Sequence, residues 1–413
     1  MSTIRDFISR HRSNLALWSV VLGSFAVGYR AYMLRLPTFY PDSRYYLAMA
    51  FLFGGESPES ARDLTVEWAA RFDQDVPELE KLFGWGLVQP RVILPLLSAI
   101  PVRIFGPPGL AGTVLGIFLV LTVVLTLILR ARFGNATAIS IMLLLNTSHY
   151  LMMFNGGMLT ESLSALWSAL TLVVAWWWIR RRRRWMLLML VGLVTAAAFT
   201  RQATFIVAGA FVIAWLLGSA IQRRWNEWTL PAIVVATTAL GVQILQSLLF
   251  PSFSQMDQFL MKAGADTLGE ALLAAPQMGL LIFMREVNTF LHQDVPLLVL
   301  ICLAIASTVL FIRRTESHLL IGTVLGIALY NITNGTPTQF RYAIPGLIFF
   351  ALSAAVLVSR AAQSATVDEA SPGEDPPEST ALEQSTGTEE DTEPDQRKAP
   401  ASEAASTAGG NQG

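Results

Sequence analysis

The stretch LAGTVLGIFLVLTVVLTLIL, residues 110–129, is twenty residues without a charge, and Arg130 and Arg132 follow it at once. As a helix rising ~1.5 Å per residue it matches the ~30 Å hydrocarbon core of a bilayer, and the arginines mark where it must stop. Outward from it, apolar runs of similar kind recur at about 14–34, 136–154, 158–179, 185–200, 203–221, 228–250, 295–312, 318–333 and 342–359. Composition agrees: 53% of the 413 residues are hydrophobic and 14% charged, with mean hydropathy +0.49, too apolar for a soluble chain of this length. The expected fold is all-α and polytopic, with about ten transmembrane helices.

One cysteine, Cys302, excludes a disulfide framework, a zinc-finger cluster and a CxxC redox site. The four histidines, His11, His149, His292 and His318, form no HExxH arrangement.

The net charge of −1 hides an uneven distribution. Residues 362–413 carry twelve acids against Arg397 and Lys398, whereas residues 1–361 carry 27 basic and 18 acidic side chains. The tail has almost no large apolar residue, so it cannot offset its ordering entropy and is expected to be a disordered, acidic, cytoplasmic segment. Residues 1–361 then form the membrane domain.

Charge also sets the expected topology, because cytoplasmic connections collect Arg and Lys. The short apolar segment 92–106 contains Pro95, Pro101 and Arg103. If it lies in the interface, Arg5, Arg10, Arg12, Arg130, Arg132, Arg180 to Arg184, Arg223, Arg224, Arg313, Arg314 and Arg360 all fall on one side. If it spans, that bias breaks. Both termini are therefore expected in the cytoplasm, and the arginine run at 180–184 reads as a topology anchor rather than a nucleic-acid site.

Two long outer loops result, 35–109 and 251–294, the first and fourth, each expected to carry amphipathic surface helices. The first opens with Tyr40-Pro41-Asp42-Ser43-Arg44-Tyr45-Tyr46, a helix start with Asp42 at or beside the N-cap. Three more charges border spans on the same face: Glu161, about one turn inside its span, Arg201 after Phe199-Thr200, and Arg341 after Gln339-Phe340. Charges at membrane depth pair with one another or line a cavity. Two carboxylates and two guanidiniums at one level suit group transfer from a lipid phosphate: arginine forks bind phosphate oxygens, and a carboxylate takes the proton of an attacking hydroxyl or holds a divalent metal. No dedicated metal site is read from the chain, although the carboxylates leave room for a divalent ion. The plainer roles are a helix cap for Asp42, snorkelling for Arg201 and Arg341, an interface anchor for Arg91 and an arginine partner for Glu161.

The loop pattern D-x-x-Y-Y-x-x-x-A at residues 42–50 resembles the GT-C superfamily of polyprenyl-phosphate-sugar-dependent glycosyltransferases, which includes the protein O-mannosyltransferases and the aminoarabinose transferase of lipid A. Gln89-Pro90-Arg91, Thr160-Glu161-Ser162, Phe199-Thr200-Arg201 and Arg341-Tyr342-Ala343-Ile344-Pro345 are further points of similarity, in order along nearly all of residues 14–360. The resemblance implies a catalytic Asp42 facing outward and arginines that hold the lipid phosphate. It implies transfer of a sugar from a polyprenyl phosphate to an acceptor hydroxyl on a lipid, glycan or protein, in a bacterial plasma membrane. Where many members have Asp-Glu, this chain has Asp42-Ser43. The candidate binding residues are Glu161, Arg201, Arg341, Arg91, Tyr45, Tyr46, Tyr342 and Gln339. The rival reading is a transporter or flippase for a lipid-linked or anionic solute, against which stands the lack of an internal repeat.

Overall fold

A computed structural model describes residues 2–33, 38–223, 225–250 and 254–369. Every regular element among them is helical. The chain runs α1 (Ser2–Met33), then through the first long loop as α2 (Ser43–Phe53), α3 (Pro58–Ala69), α4 (Leu79–Gly84) and α5 (Ile93–Phe105). It continues as α6 (Pro108–Phe133), α7 (Asn135–Thr147), α8 (His149–Gly156), α9 (Glu161–Arg181), α10 (Trp185–Ala198), α11 (Thr204–Gln222) and α12 (Thr229–Leu249). The last elements are α13 (Gln255–Ala263), α14 (Leu268–Gln293), α15 (Val295–Leu310), α16 (Thr315–Asn334), a 3-10 turn Arg341–Gly346 and α17 (Leu347–Glu369).

Local chemistry sets the boundaries. Ser57, Ser148, Thr267 and Asp294 cap the helices that follow them, each side chain accepting a hydrogen bond from a first-turn N–H. Gly134, at φ +87°, ends α6, where a side chain would be strained.

Among the described residues seven helices are long and apolar enough to cross a membrane: Ser13–Met33, Pro108–Phe133, Glu161–Arg181, Thr204–Gln222, Thr229–Leu249, Leu268–Gln293 and Arg341–Ser364. The pair α7 and α8 would add one crossing if counted together. The protein is thus a polytopic helical membrane protein, and this set differs in three respects from the ten runs of the sequence. First, the run 136–154 is broken at Ser148, where α7 and α8 bend by 74°. Asp294 fixes the break, its carboxylate accepting from Ser148 Oγ at 2.7 Å and from Tyr150 N at 2.8 Å. Second, α10 and α15 have 14 and 16 residues, short of the ~20 that a straight crossing requires, and α16 carries polar ends at Glu316, His318 and Asn334. Third, α14, expected on the surface, meets the length and composition of a span.

The helices share two ends. Arg132 of α6 pairs with Glu316 of α16 and lies over the Trp176 ring of α9, and Arg132, Arg314 and Arg360 line one depression. At the opposite end, Glu161 of α9 meets Arg201 and Arg341, Gln246 of α12 donates to Ala198 O, and Gln255 of α13 donates to Thr333. The charge bias of the sequence is therefore a physical polarity: an arginine end and a site end. The partners of α14 at Glu286, Phe290 and Gln293 all lie at the site end.

Helices α11 and α16 approach closely. A Cβ on Gly322 would sit 2.2 Å from Gly209 O, so two glycines let the backbones touch. In the first loop, α5 exposes Leu96, Ile100, Ile104 and Phe105 while burying Leu94, Ser98 and Val102. At 13 residues and ~20 Å it is too short to span, and its outward apolar stripe suits the interface expected for residues 92–106.

The tail expected from Ala362 begins instead as the continuation of α17 to Glu369, and from Ala370 onward it lies outside the described residues, as does Arg224.

Candidate functional site

Four separate stretches deliver the site. Asp42 occupies the N-cap position of α2, yet its side chain caps nothing. Its carboxylate instead accepts from Arg341 Nη2 at 2.5 Å. The capping role weighed for Asp42 is therefore replaced by an ion pair.

Glu161 is the first residue of α9 rather than one turn inside it. The turn before it is held against the start of the first loop: Met158 N donates to Thr38 O at 2.8 Å, and the Tyr40 ring leaves no room for a side chain at Gly157. The Glu161 side chain is fully buried. Its Oε1 accepts from Arg201 Nη1 at 2.6 Å and also from Arg341 Nε. Arg341 thus lies between two carboxylates, Asp42 and Glu161. Desolvation of these charges is costly, and mutual pairing is what makes their burial tolerable.

Arg201 is 1% exposed, with its guanidinium over the Tyr342 ring at 5.0 Å. It is placed by the end of α10, whose Phe199 O accepts from Ile93 N at 3.3 Å, which brings the start of α5 alongside. Arg91 arrives by that route. It is buried and donates to Tyr46 OH at 3.0 Å, so it is no interface anchor. Snorkelling is likewise excluded for Arg201 by its burial.

Arg341 depends on an acid of the second long loop, residues 251–294, that was not among the expected site residues. Glu286 of α14 accepts from the backbone N–H groups of Thr338 at 2.5 Å, Gln339 at 2.8 Å and Phe340 at 3.0 Å. Gln339 and Phe340 both adopt left-handed backbone, at φ +54° and +69°, which turns successive N–H groups toward one carboxylate. The signal was present in the sequence: Ile282, Glu286 and Phe290 form the buried stripe of α14 at four-residue spacing, with an acid in its middle.

Two expected residues are placed elsewhere. Tyr45 packs against Trp85 at 5.1 Å and under Arg44 at 5.4 Å, away from the guanidinium cluster. The exposed Gln339 serves through its backbone N–H, not its amide. Tyr46 and Tyr342 do join the arginines, as partners of Arg91 and Arg201.

Burial alone would raise the Asp42 pKa, but the guanidiniums of Arg341, Arg91 and Arg201 outweigh it and hold the carboxyl below its ordinary range. Burial pushes the nearby Tyr40 phenol up to about 12, so it stays protonated. Several buried polar atoms around the cluster have no hydrogen-bond partner among the described residues: Glu161 Oε2, Arg201 Nε, Arg91 Nε, Thr160 Oγ1, Ser162 Oγ and Gln202 Oε1. Buried polar groups are ordinarily satisfied, so these atoms leave hydrogen-bonding capacity for ordered water or a polar ligand. Among the described residues no three or more His, Cys, Asp or Glu side chains cluster as metal ligands, and the two site carboxylates share the Arg341 guanidinium.

Beside the site, an apolar cavity of about 230 Å³ lies between α14, α15, α16 and the start of α17, lined by Phe283, Phe290, Ile301, Ile327, Phe340 and Phe350. Glu286 stands in its wall, so the loop that carries Arg341 borders both spaces.

The arrangement can bind an anionic, polar group under three arginines, take a proton at Asp42 and accommodate an apolar chain next to Arg341. No family model matches the chain, and comparisons with curated proteins and with solved structures likewise return no match.

Proposed function

We propose that the protein is a GT-C-type membrane glycosyltransferase that moves a sugar from a polyprenyl-phosphate carrier to an acceptor hydroxyl at the outer face of a bacterial plasma membrane. The observation that carries the reading is the convergence of Asp42, Glu161, Arg201 and Arg341, residues separated by up to 299 positions, into one hydrogen-bonded cluster.

The donor phosphate binds Arg201 and Arg341, whose forks match its oxygens. Asp42 is paired with Arg341 in the free protein and is too acidic there to be an effective base. When the phosphate draws Arg341 toward itself, Asp42 loses its nearest cation and becomes the stronger base. Asp42 then takes the proton of the acceptor hydroxyl as that oxygen bonds to C1 of the sugar. The bond from C1 to the phosphate oxygen breaks, the electron pair stays on the prenyl phosphate, and the arginines stabilise its charge. Glu161 holds Arg201 and anchors Arg341 through its Nε while the Nη2 edge moves from Asp42 to the phosphate. Attack from the side opposite the phosphate inverts the sugar.

The apolar cavity against Phe340 supports a lipid-linked donor, because a prenyl tail there would leave its phosphate next to Arg341. Ten crossings with both termini cytoplasmic are supported by α10, α15 and α16 running between the arginine end and the site end, while the partners of α14 stay at the site end.

The test is to supply the protein, reconstituted in vesicles, with prenyl-phosphate sugar labelled in both sugar and phosphate. Transfer predicts that the two labels separate, with unglycosylated prenyl phosphate as product. Movement of intact donor across the bilayer without separation would establish the transporter instead.

A further inference from the structure

A second polar depression lies at the arginine end, remote from the Asp42 cluster. It holds about 580 Å³ between the end of α6, the start of α16 and the end of α17, and its wall includes Arg132, Phe133, Arg314, Glu316, Ser359 and Arg360. Among the described residues three guanidiniums face one carboxylate there, an excess of two positive charges. Glu316 is buried and pairs with Arg132, accepting from Nε at 2.7 Å. Among the described residues no carboxylate lies within ion-pair distance of Arg314 or Arg360, and the Arg314 guanidinium lies over the Phe311 ring, 5.9 Å from its centroid. No side chain caps the N-terminus of α16, so the positive end of that helix adds to the field.

We propose that this depression is a binding site for the phosphodiester headgroup of an anionic phospholipid. Basic pockets between helix ends at the membrane boundary are suited to such headgroups, and arginine forks grip two phosphate oxygens at once. The shared chemistry with free phosphate is the oxyanion, but the surroundings favour a lipid. The chain leading into Arg314 exposes Val309, Leu310 and Ile312, an apolar surface that acyl chains cover and a free ion does not use. The rigid Glu316–Arg132 pair ties α6 to α16, so a bound headgroup would join α17 to them and fasten the end of the bundle opposite the transfer site.

The experiment is native mass spectrometry of the full chain from uncharged detergent, titrated with phosphatidylglycerol, with phosphatidylcholine and with inorganic phosphate. The expected result is saturable retention of phosphatidylglycerol, none of phosphatidylcholine, and no displacement by inorganic phosphate. At about fivefold per guanidinium, the double variant Arg314→Gln/Arg360→Gln should bind roughly 30-fold more weakly. The charge-keeping variant Arg314→Lys/Arg360→Lys should retain most of the binding and shows that the fold tolerates change at both positions. Neutralising the exposed Arg181 and Arg183 in the same way should leave binding within about twofold. Equal loss from both neutralised pairs would reduce the effect to general charge attraction and overturn the site. Saturation by inorganic phosphate would assign it to a free anion, and phosphatidylglycerol binding that emerges only after removal of residues 370–413 would assign it to the chain's own acidic tail.

Discussion

Arg341 Nη2 lies 2.5 Å from Asp42 Oδ2, joining the start of the last helix of the bundle to the first long loop. Both side chains keep some access, 20% and 25% exposed, whereas Glu161 and Arg201 behind them are sealed at 0% and 1%. The cluster therefore has a rigid back and a reachable front. A ligand can compete for Arg341 at the front without disturbing the Glu161–Arg201 pair.

That sealed back should dominate stability. Removing one member of a buried pair leaves the other charge uncompensated, at a cost of about 3–5 kcal/mol. Glu161→Gln is expected to lower the unfolding free energy by that order, because both Arg201 and Arg341 lose their counter-charge. Thermal unfolding in detergent, with Asp42→Asn as the comparison at the partly exposed front, checks this; a larger loss in Asp42→Asn contradicts it.

The acid dependence follows from the direction of the Asp42 shift. Its folded-state pKa lies below the ordinary 3.8, so pairing contributes stability that is fully present above about pH 3.8. This contribution is lost as pH falls from there through the folded-state value. Asp42→Asn should remove only this component, giving a flatter stability profile below pH 4 and an unchanged slope between pH 5 and 7. An equally steep acid limb in the variant assigns the effect elsewhere.

Glu286 touches none of the other charged groups of the cluster, yet it holds the backbone from which Arg341 projects. Glu286→Ala leaves three N–H groups of a left-handed turn without their acceptor. Affinity for prenyl phosphate should fall by about tenfold, equivalent to ~1.4 kcal/mol, in calorimetric or scintillation binding. Unchanged affinity would show that the loop keeps its shape without the carboxylate.

Helix contact gives a test apart from the chemistry. Gly322→Ala places a methyl group 2.2 Å from Gly209 O, backbone that cannot swing away, and overpacking of this kind costs about 1–3 kcal/mol. Gly192, with open space around its Cβ position, should tolerate alanine without loss. Equal melting temperatures for the two variants contradict the close α11–α16 approach.

Much of the site was legible because charge at the end of an apolar run is rare and expensive. Glu161, Arg201 and Arg341 stood out on that ground alone, Asp42 as the start of a helix in the first long loop, and the arginine bias put all four on one face. Glu286 did not stand out, since its helix combines exposed apolar residues with charges and the decisive fact is a tertiary one, the left-handed turn at Gln339 and Phe340. The break at Ser148 falls on the polar stretch Asn146-Thr147-Ser148-His149, which a count of apolar residues over the whole run passes over, and Asp294, the residue that ties the bend in place, is 146 positions away. Span counting also reached its limit in α10, α14 and α15, because length and hydropathy describe a helix by itself, whereas the residues it meets decide where its ends lie.

The most direct measurement of the central claim is single-turnover release of labelled prenyl phosphate from a prenyl-phosphate sugar by the wild-type protein and by Asp42→Asn, with donor binding measured in parallel. General-base chemistry at Asp42 predicts a rate reduced by about 10²–10⁴-fold in the variant, with donor binding retained because the arginines remain. Wild-type release rates in Asp42→Asn would contradict the account.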